Sequence, residues 1–157
     1  MSENALSFPT PFDGAAGIEF SPQAGPAASD GDTRSDTHFT TRDGAIFAGT
    51  HLIIDLWGAR RLDDIAFIDA MLRQCVAAAG ATLLHLHLHH FTPNNGVSGV
   101  AVLAESHISI HTWPEHGYTA MDVFMCGRTE PHRALALLRR AFRPARVELG
   151  EHRRGRL

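Results

Sequence analysis

Lysine is absent from this chain. All 14 basic residues among its 157 are arginines, which excludes every chemistry that joins an amine or carbonyl partner through a lysine Schiff base. Cysteine is scarce: Cys75 and Cys126 are too few for a disulfide framework and lack the C-x-x-C spacing of a redox or zinc motif. Cys75 falls within a helical pattern and reads as a small buried apolar residue. Excess positive charge is lacking too. The net charge is −3 and the pI is near 6.4, so there is no electrostatic footprint for nucleic acid, and the arginine-rich tail His152 to Arg156 is too short to reverse that balance. No run reaches the roughly 18 apolar residues of a membrane span. The opening MSENALSFPTPFDG has neither the basic start nor the apolar stretch of a secretory signal. These absences predict a cytoplasmic protein that engages neither nucleic acid nor membrane.

What is present is an ordinary globular composition, 44% hydrophobic and 20% charged, unevenly distributed. Residues 1–44 are rich in Pro, Gly, Ala, Ser, Asp and Thr, with no sustained apolar period. Such a segment cannot bury enough surface to offset its ordering entropy, which predicts a disordered extension before a single folded domain over residues 45–157.

Within that domain, His51 to Trp57 reads as a strand. Ile65, Ile68, Leu72, Val76 and Ala79 recur at helical spacing over residues 62–79, with Gly80 as the stop. Residues 82–91 (TLLHLHLHHF) alternate, placing Leu84, Leu86 and Leu88 on one face and His85, His87 and His89 on the other. TPNNG is turn chemistry. Strands follow over 97–104, 107–112 and 118–126. Thr129 is expected to cap a second helix with Pro131 in its first turn and an apolar stripe of Ala134, Leu135, Leu138, Ala141 and Phe142. Arg146 to Leu149 closes as a strand. The order β-α-β-β-β-β-α-β with short connections predicts an α+β two-layer sandwich, a mostly antiparallel sheet with two helices on one face. The other face is rich in histidine and needs solvent, substrate or a second protomer.

Two groupings could carry chemistry. Alternate histidines on a strand share a face and suit Zn, Fe, Cu or Ni, but no downstream residues complete a ligand set at recognisable spacing; no metal is expected. The run ESHISIHTWPE, Glu105 to Glu115, sets Ser106 after a carboxylate residue and His111 five residues on, with Cys126 at the end of the following strand. The G-x-S-x-G elbow of a hydrolase is missing. On a regular strand, Ser106 and His111 point to opposite faces, so a bend is required if one is to serve the other.

The longer string VSGVAVLAESHISIHTWPEHGYTAMDVFMCG (Val97 to Gly127) resembles the processing and active-site region of the prokaryotic S-adenosylmethionine decarboxylases. So do GTHLIIDLWGA, HHFTPNNGVSG and ARVELGEHRRG, and the resemblance spans about residues 49–155. It implies a proenzyme that cuts itself between Glu105 and Ser106 into chains 1–105 and 106–157. The Ser106 hydroxyl attacks the Glu105 carbonyl, the ester eliminates, and loss of ammonia leaves a pyruvoyl group as the cofactor, whose ketone forms a Schiff base with the substrate. His111 is implied as the processing base, a role that suits an imidazole's ordinary near-neutral pKa. Ser98 supports processing. Cys126 is implied as the proton donor in turnover, a task within reach of a thiol at neutral pH, Glu115 lies near the substrate, and His51 and Phe91 line the pocket.

The substrate implied is S-adenosylmethionine, decarboxylated for spermidine synthesis, in a homodimer of processed heterodimers with shared active sites. A lysine-free chain is consistent with such a cofactor, because a pyruvoyl ketone replaces the lysine-held pyridoxal phosphate that amino-acid decarboxylation commonly uses. The same scaffold also serves arginine and ornithine decarboxylases. A non-processing module with a metal- or ligand-binding histidine strand is the reading of a different class.

Overall fold

The alternation read in the sequence becomes one six-stranded sheet. The computed structural model describes residues 39–157. Strands β3 (Gly49–Trp57), β4 (Leu83–His90), β5 (Val97–Leu103), β6 (Ser106–Trp113), β7 (Tyr118–Cys126) and β8 (Arg146–Arg154) lie in the order β4-β5-β6-β7-β3-β8. Every neighbouring pair is antiparallel. Side chains of successive residues leave opposite faces. Leu52, Ile54 and Leu56 of β3, Ile108 and Ile110 of β6, and Met121, Val123 and Met125 of β7 therefore share one buried face.

That face is covered by α1 (Ile65–Ala78) and α2 (Pro131–Phe142), whose Ile68, Leu72, Cys75, Ala134, Leu138 and Phe142 are buried in the same core. Each fully buried Leu or Ile contributes about 1.5–3 kcal/mol, so the shared apolar face is the main reason the layers stay together. Cys75 is the buried apolar residue expected: its thiol faces the carbonyl of Ala134 at 3.6 Å, and burial pushes its pKa up to about 12. The architecture is the expected two-layer α+β sandwich.

Four details depart from the sequence reading. The segment 1–44 was expected to lack structure; residues 1–38 lie outside the described residues, but its end forms β1 (Thr40–Arg42), paired with β2 (Ala45–Phe47). Asp43 and Gly44 both take positive φ, 52° and 74°, the combination a tight type I′ hairpin requires and an Asp-Gly pair supplies. The tail anchors this hairpin: Ala48 donates to the Arg154 carbonyl at 2.9 Å and Leu157 to that of Ile46 at 3.1 Å.

In β4 the pairing register shifts between Leu83 and His85. This leaves Leu84 64% exposed, while Leu83 packs on the core with Leu86 and Leu88. One extra residue in a strand transfers a side chain to the other face. Thr129 is not the cap of α2. That position belongs to Glu130, and the Thr129 hydroxyl donates to the Cys126 carbonyl at 2.7 Å. Finally, β8 runs on to Arg154, drawing the arginine-rich tail into the sheet.

Candidate active site

The site begins with a hairpin corner. Leu103 of β5 pairs with Ser106 of β6, so the turn between them is only Ala104 and Glu105. Glu105 stands at φ +62°. Ser106, the first residue of β6, is 8% exposed, and its Oγ accepts a hydrogen bond from the Cys126 backbone N–H at 3.1 Å. Cys126 ends β7, the strand beside β6, and pairs with Gly49 of β3 on its other side. A Cβ at Gly49 would stand 2.6 Å from the Met125 carbonyl oxygen and 3.1 Å from Cys126 Sγ, so glycine leaves the thiol its room. Burial pushes the Cys126 thiol pKa up, the Glu105 carboxylate reinforces that, and the Ser106 hydrogen bond opposes it. The net upward shift keeps the thiol protonated at neutral pH, as a proton donor must be.

Beside this corner, on the sheet face turned away from the helices, lies a network that the sequence reading missed. Asp122 receives the Ser109 hydroxyl on Oδ2 at 3.0 Å and lies 3.3 Å from His51 Nε2 through Oδ1. The Arg154 guanidinium reaches His51 Nδ1 at 3.1 Å. A guanidinium can only donate, which makes Nδ1 the acceptor and assigns the ring proton to Nε2, toward Asp122. The rings of His51 and His107 both pack against Phe124, with centroids 5.7 Å away. Burial, then the neighbouring His51, lowers the His107 pKa. Asp122 stood within the DVFMCG motif; its partners come from β3 and β6, and no local spacing announces them.

Ser98 and His111 are directly paired across β5 and β6, with Ser98 Oγ 2.9 Å from His111 Nδ1. They belong to another place. The pairing of β6 with β7 runs without a register shift from His107 to Trp113, so the bend that would turn His111 toward Ser106 is absent. Five residues of strand separate the two by ~16 Å, and His111 projects from the outer face while Ser106 begins the inner-facing series.

Phe91, which packs edge-on against His89 at 4.5 Å, and Glu115, in the 3₁₀ turn Pro114–His116, both lie at the His111 end of the sheet. Trp113, Tyr118 and Trp57 stack there too, with centroids 5.1 and 4.3 Å apart. The sequence-predicted residues thus form two groups at opposite ends: Glu105, Ser106, Cys126 and His51 at one, Phe91, Ser98, His111 and Glu115 at the other.

His85, His87 and His89 project outward from edge strand β4. Among the described residues no three His, Cys, Asp or Glu side chains gather as a metal would need. A groove of about 480 Å³ between Met71, Gln74, Leu137 and Arg140 lies in the helix layer. No helix of the described residues is long and apolar enough to cross a membrane.

Known proteins are similar to this chain in sequence and fold. A family model described as S-adenosylmethionine decarboxylase matches residues 50–155. A protein of Thermomicrobium roseum named S-adenosylmethionine decarboxylase proenzyme is 49% identical over 108 residues, covering 68% of this chain and 93% of that one. A protein of the same name from Methanococcus vannielii is 50% identical over 110 residues, covering 68% and 89%. The crystal structure of the adenosylmethionine decarboxylase of Aquifex aeolicus superposes with a TM-score of 0.62 at 36% identity, covering 69% of this chain and 92% of that one. The chain belongs to the S-adenosylmethionine decarboxylase family.

Proposed function

We propose that this chain is the proenzyme of an S-adenosylmethionine decarboxylase that cuts itself between Glu105 and Ser106 and makes its cofactor from Ser106, and that two copies complete each active site. The observation that carries the reading is the hairpin corner, where a buried Ser106 hydroxyl, bonded to the Cys126 amide, sits beside a thiol held protonated.

Processing begins with the Ser106 hydroxyl of this corner, and the base that removes the Ser106 α-proton is His111 of a second copy. Ser106 Oγ attacks the Glu105 carbonyl carbon, the C–N bond breaks, and the hydroxyl proton ends on the freed amine. Loss of the Ser106 α-proton then expels the Glu105 carboxylate, and water replaces the nitrogen, which leaves as ammonia. The fit for a pyruvoyl group, the cofactor type of this family in general, is supported by the N–H donor of Cys126 at this position and by the space kept open by Gly49. That group supplies a ketone to take up the substrate amine and accept the electron pair left by carbon dioxide. Cys126 Sγ holds the proton that the α-carbon then requires. This chemistry uses no lysine, and the sequence has none.

Ser98 and His111 cannot reach Ser106 of their own chain. The outer sheet face, polar and aromatic with Ile53 and Val102 exposed on it, offers a surface on which a second copy can bring its Ser98 and His111 to this corner. A two-fold arrangement gives both copies the same pairing, with Phe91 and Glu115 arriving beside His111 to bind substrate. The product would be the aminopropyl donor of spermidine synthesis.

Release of labelled carbon dioxide, measured in parallel on S-adenosylmethionine, arginine and ornithine, tests the substrate. Release from S-adenosylmethionine alone is expected, and release only from arginine or ornithine would overturn the assignment. Within that assay Cys126→Ala should still yield a cut chain but turn over at least about 100-fold more slowly. The thiol donates only while protonated and its folded pKa is raised, so the alkaline fall of kcat should lie above the ordinary thiol value of about 8.5. An alkaline limb below that value, or full turnover by Cys126→Ala, removes Cys126 from the role.

A further inference from the structure

Glu105 occupies a backbone conformation that its side chain disfavours. Among the described residues, positive φ falls on six glycines, on Asp43 and Asn95, which are of the short polar types that tolerate it, on Arg143 at the left-handed cap of α2, on Arg61, and on Glu105 within a two-residue hairpin turn. Glutamate belongs neither to glycine nor to the short polar types that enter this region at little cost. Ala104 is not among the positive-φ residues, so the turn runs negative then positive. This is a pattern that asks for glycine at its second position and twists against its flanking strands. The corner is fixed on both sides: Ala104 donates to the Thr82 carbonyl at 2.9 Å, and Ser106 is tied to Leu103 by the strand ladder and to Cys126 by its hydroxyl. The peptide that follows Glu105 is the Glu105–Ser106 bond.

We propose that the left-handed conformation of Glu105 is a positioning device for self-cleavage, holding the Glu105 carbonyl strained against the Ser106 hydroxyl so that breaking this one peptide bond releases the strain. The inference rests on the reading of Glu105–Ser106 as the cut bond. In the step concerned, the Ser106 Oγ–Glu105 carbon bond forms and the Glu105–Ser106 C–N bond breaks, with the hydroxyl proton ending on the amine. Glu105, once a chain end, can leave the left-handed region, and reversal must force it back.

The test compares three neutral replacements in the full chain, Glu105→Gln, Glu105→Asn and Glu105→Gly, so that any contribution of the carboxylate cancels. Cutting is followed on denaturing gels after pulsed synthesis. Gln keeps the reluctance toward positive φ, Asn relaxes it and Gly removes it. The expected order of cutting rates is Gln, then Asn, then Gly, with Gly about five- to ten-fold slower than Gln. Equal rates, or Gly as the fastest, would overturn the proposal.

A second measurement does not depend on chemistry. In a Ser106→Ala chain, which stays whole, Glu105→Gly should raise the melting midpoint by about 3 °C as strain is removed; an unchanged or lowered midpoint contradicts it. A parent chain that is never cut sinks the reading of the site itself, whereas a parent chain cut normally with a flat series sinks only the role of Glu105.

Discussion

Ser106→Ala is expected to leave the chain whole at 17.1 kDa and to release no carbon dioxide from S-adenosylmethionine. In the proposed mechanism the nucleophile and the atoms that become the cofactor are the same side chain, so cleavage and activity should disappear together. Few single substitutions remove two functions so completely, and the loss exceeds what distortion could cause. Alanine takes away the oxygen that accepts the Cys126 N–H at 3.1 Å, which costs about 1–3 kcal/mol if that amide finds no other partner. The core beneath is untouched, so the far-ultraviolet circular dichroism should remain that of the parent chain. A Ser106→Ala protein that still divides refutes the assigned bond.

Mixed copies give the second large effect. His111→Ala and Cys126→Ala should each be nearly inactive when made alone. If each site takes Ser106 and Cys126 from one copy and Ser98 and His111 from the other, a mixed dimer has one site free of both substitutions. Co-expression in equal amounts makes about half the dimers mixed, and turnover should recover to about one quarter of the parent rate. If His111 instead served its own chain, no mixed dimer would hold a complete site and turnover would stay at the level of the single variants. The ~16 Å of strand between Ser106 and His111, on a β6 that pairs without a bulge against β7, favours recovery.

Much of the fold was legible because its signals are local. Alternation in HLIIDLW and YTAMDVFMC, and the stripe from Ala134 to Phe142, each reflect which face of an element meets the core. The misreadings occur where one residue or one distant partner decides. The bulge after Leu83 turns Leu84 outward, although the alternating letters read straight through it. Thr129 has the right chemistry for a cap, but its hydroxyl is engaged by the Cys126 carbonyl, a contact set by where β7 ends. The β1–β2 hairpin has its Asp43-Gly44 turn in plain sight; composition averaged over residues 1–44 concealed it.

The site divides along the same line. Ser106 and Cys126 are 20 residues apart and meet because β6 and β7 form a hairpin, whereas Ser98 and His111 meet because β5 and β6 do. Each pair is therefore encoded in a short stretch. That the two pairs stand at opposite ends of the sheet follows only from the register of three strands. The Asp122 network likewise depends on β3, placed beside β7 by the long-range order of the sheet.

Self-cleavage is the central claim, and the intact mass of the purified parent protein under denaturing conditions tests it most directly. The account predicts two chains divided between Glu105 and Ser106, the smaller one beginning with a ketone that reacts with a hydrazine and therefore lacking a free amino terminus. A single chain of 17.1 kDa, unreactive toward carbonyl reagents, would contradict it.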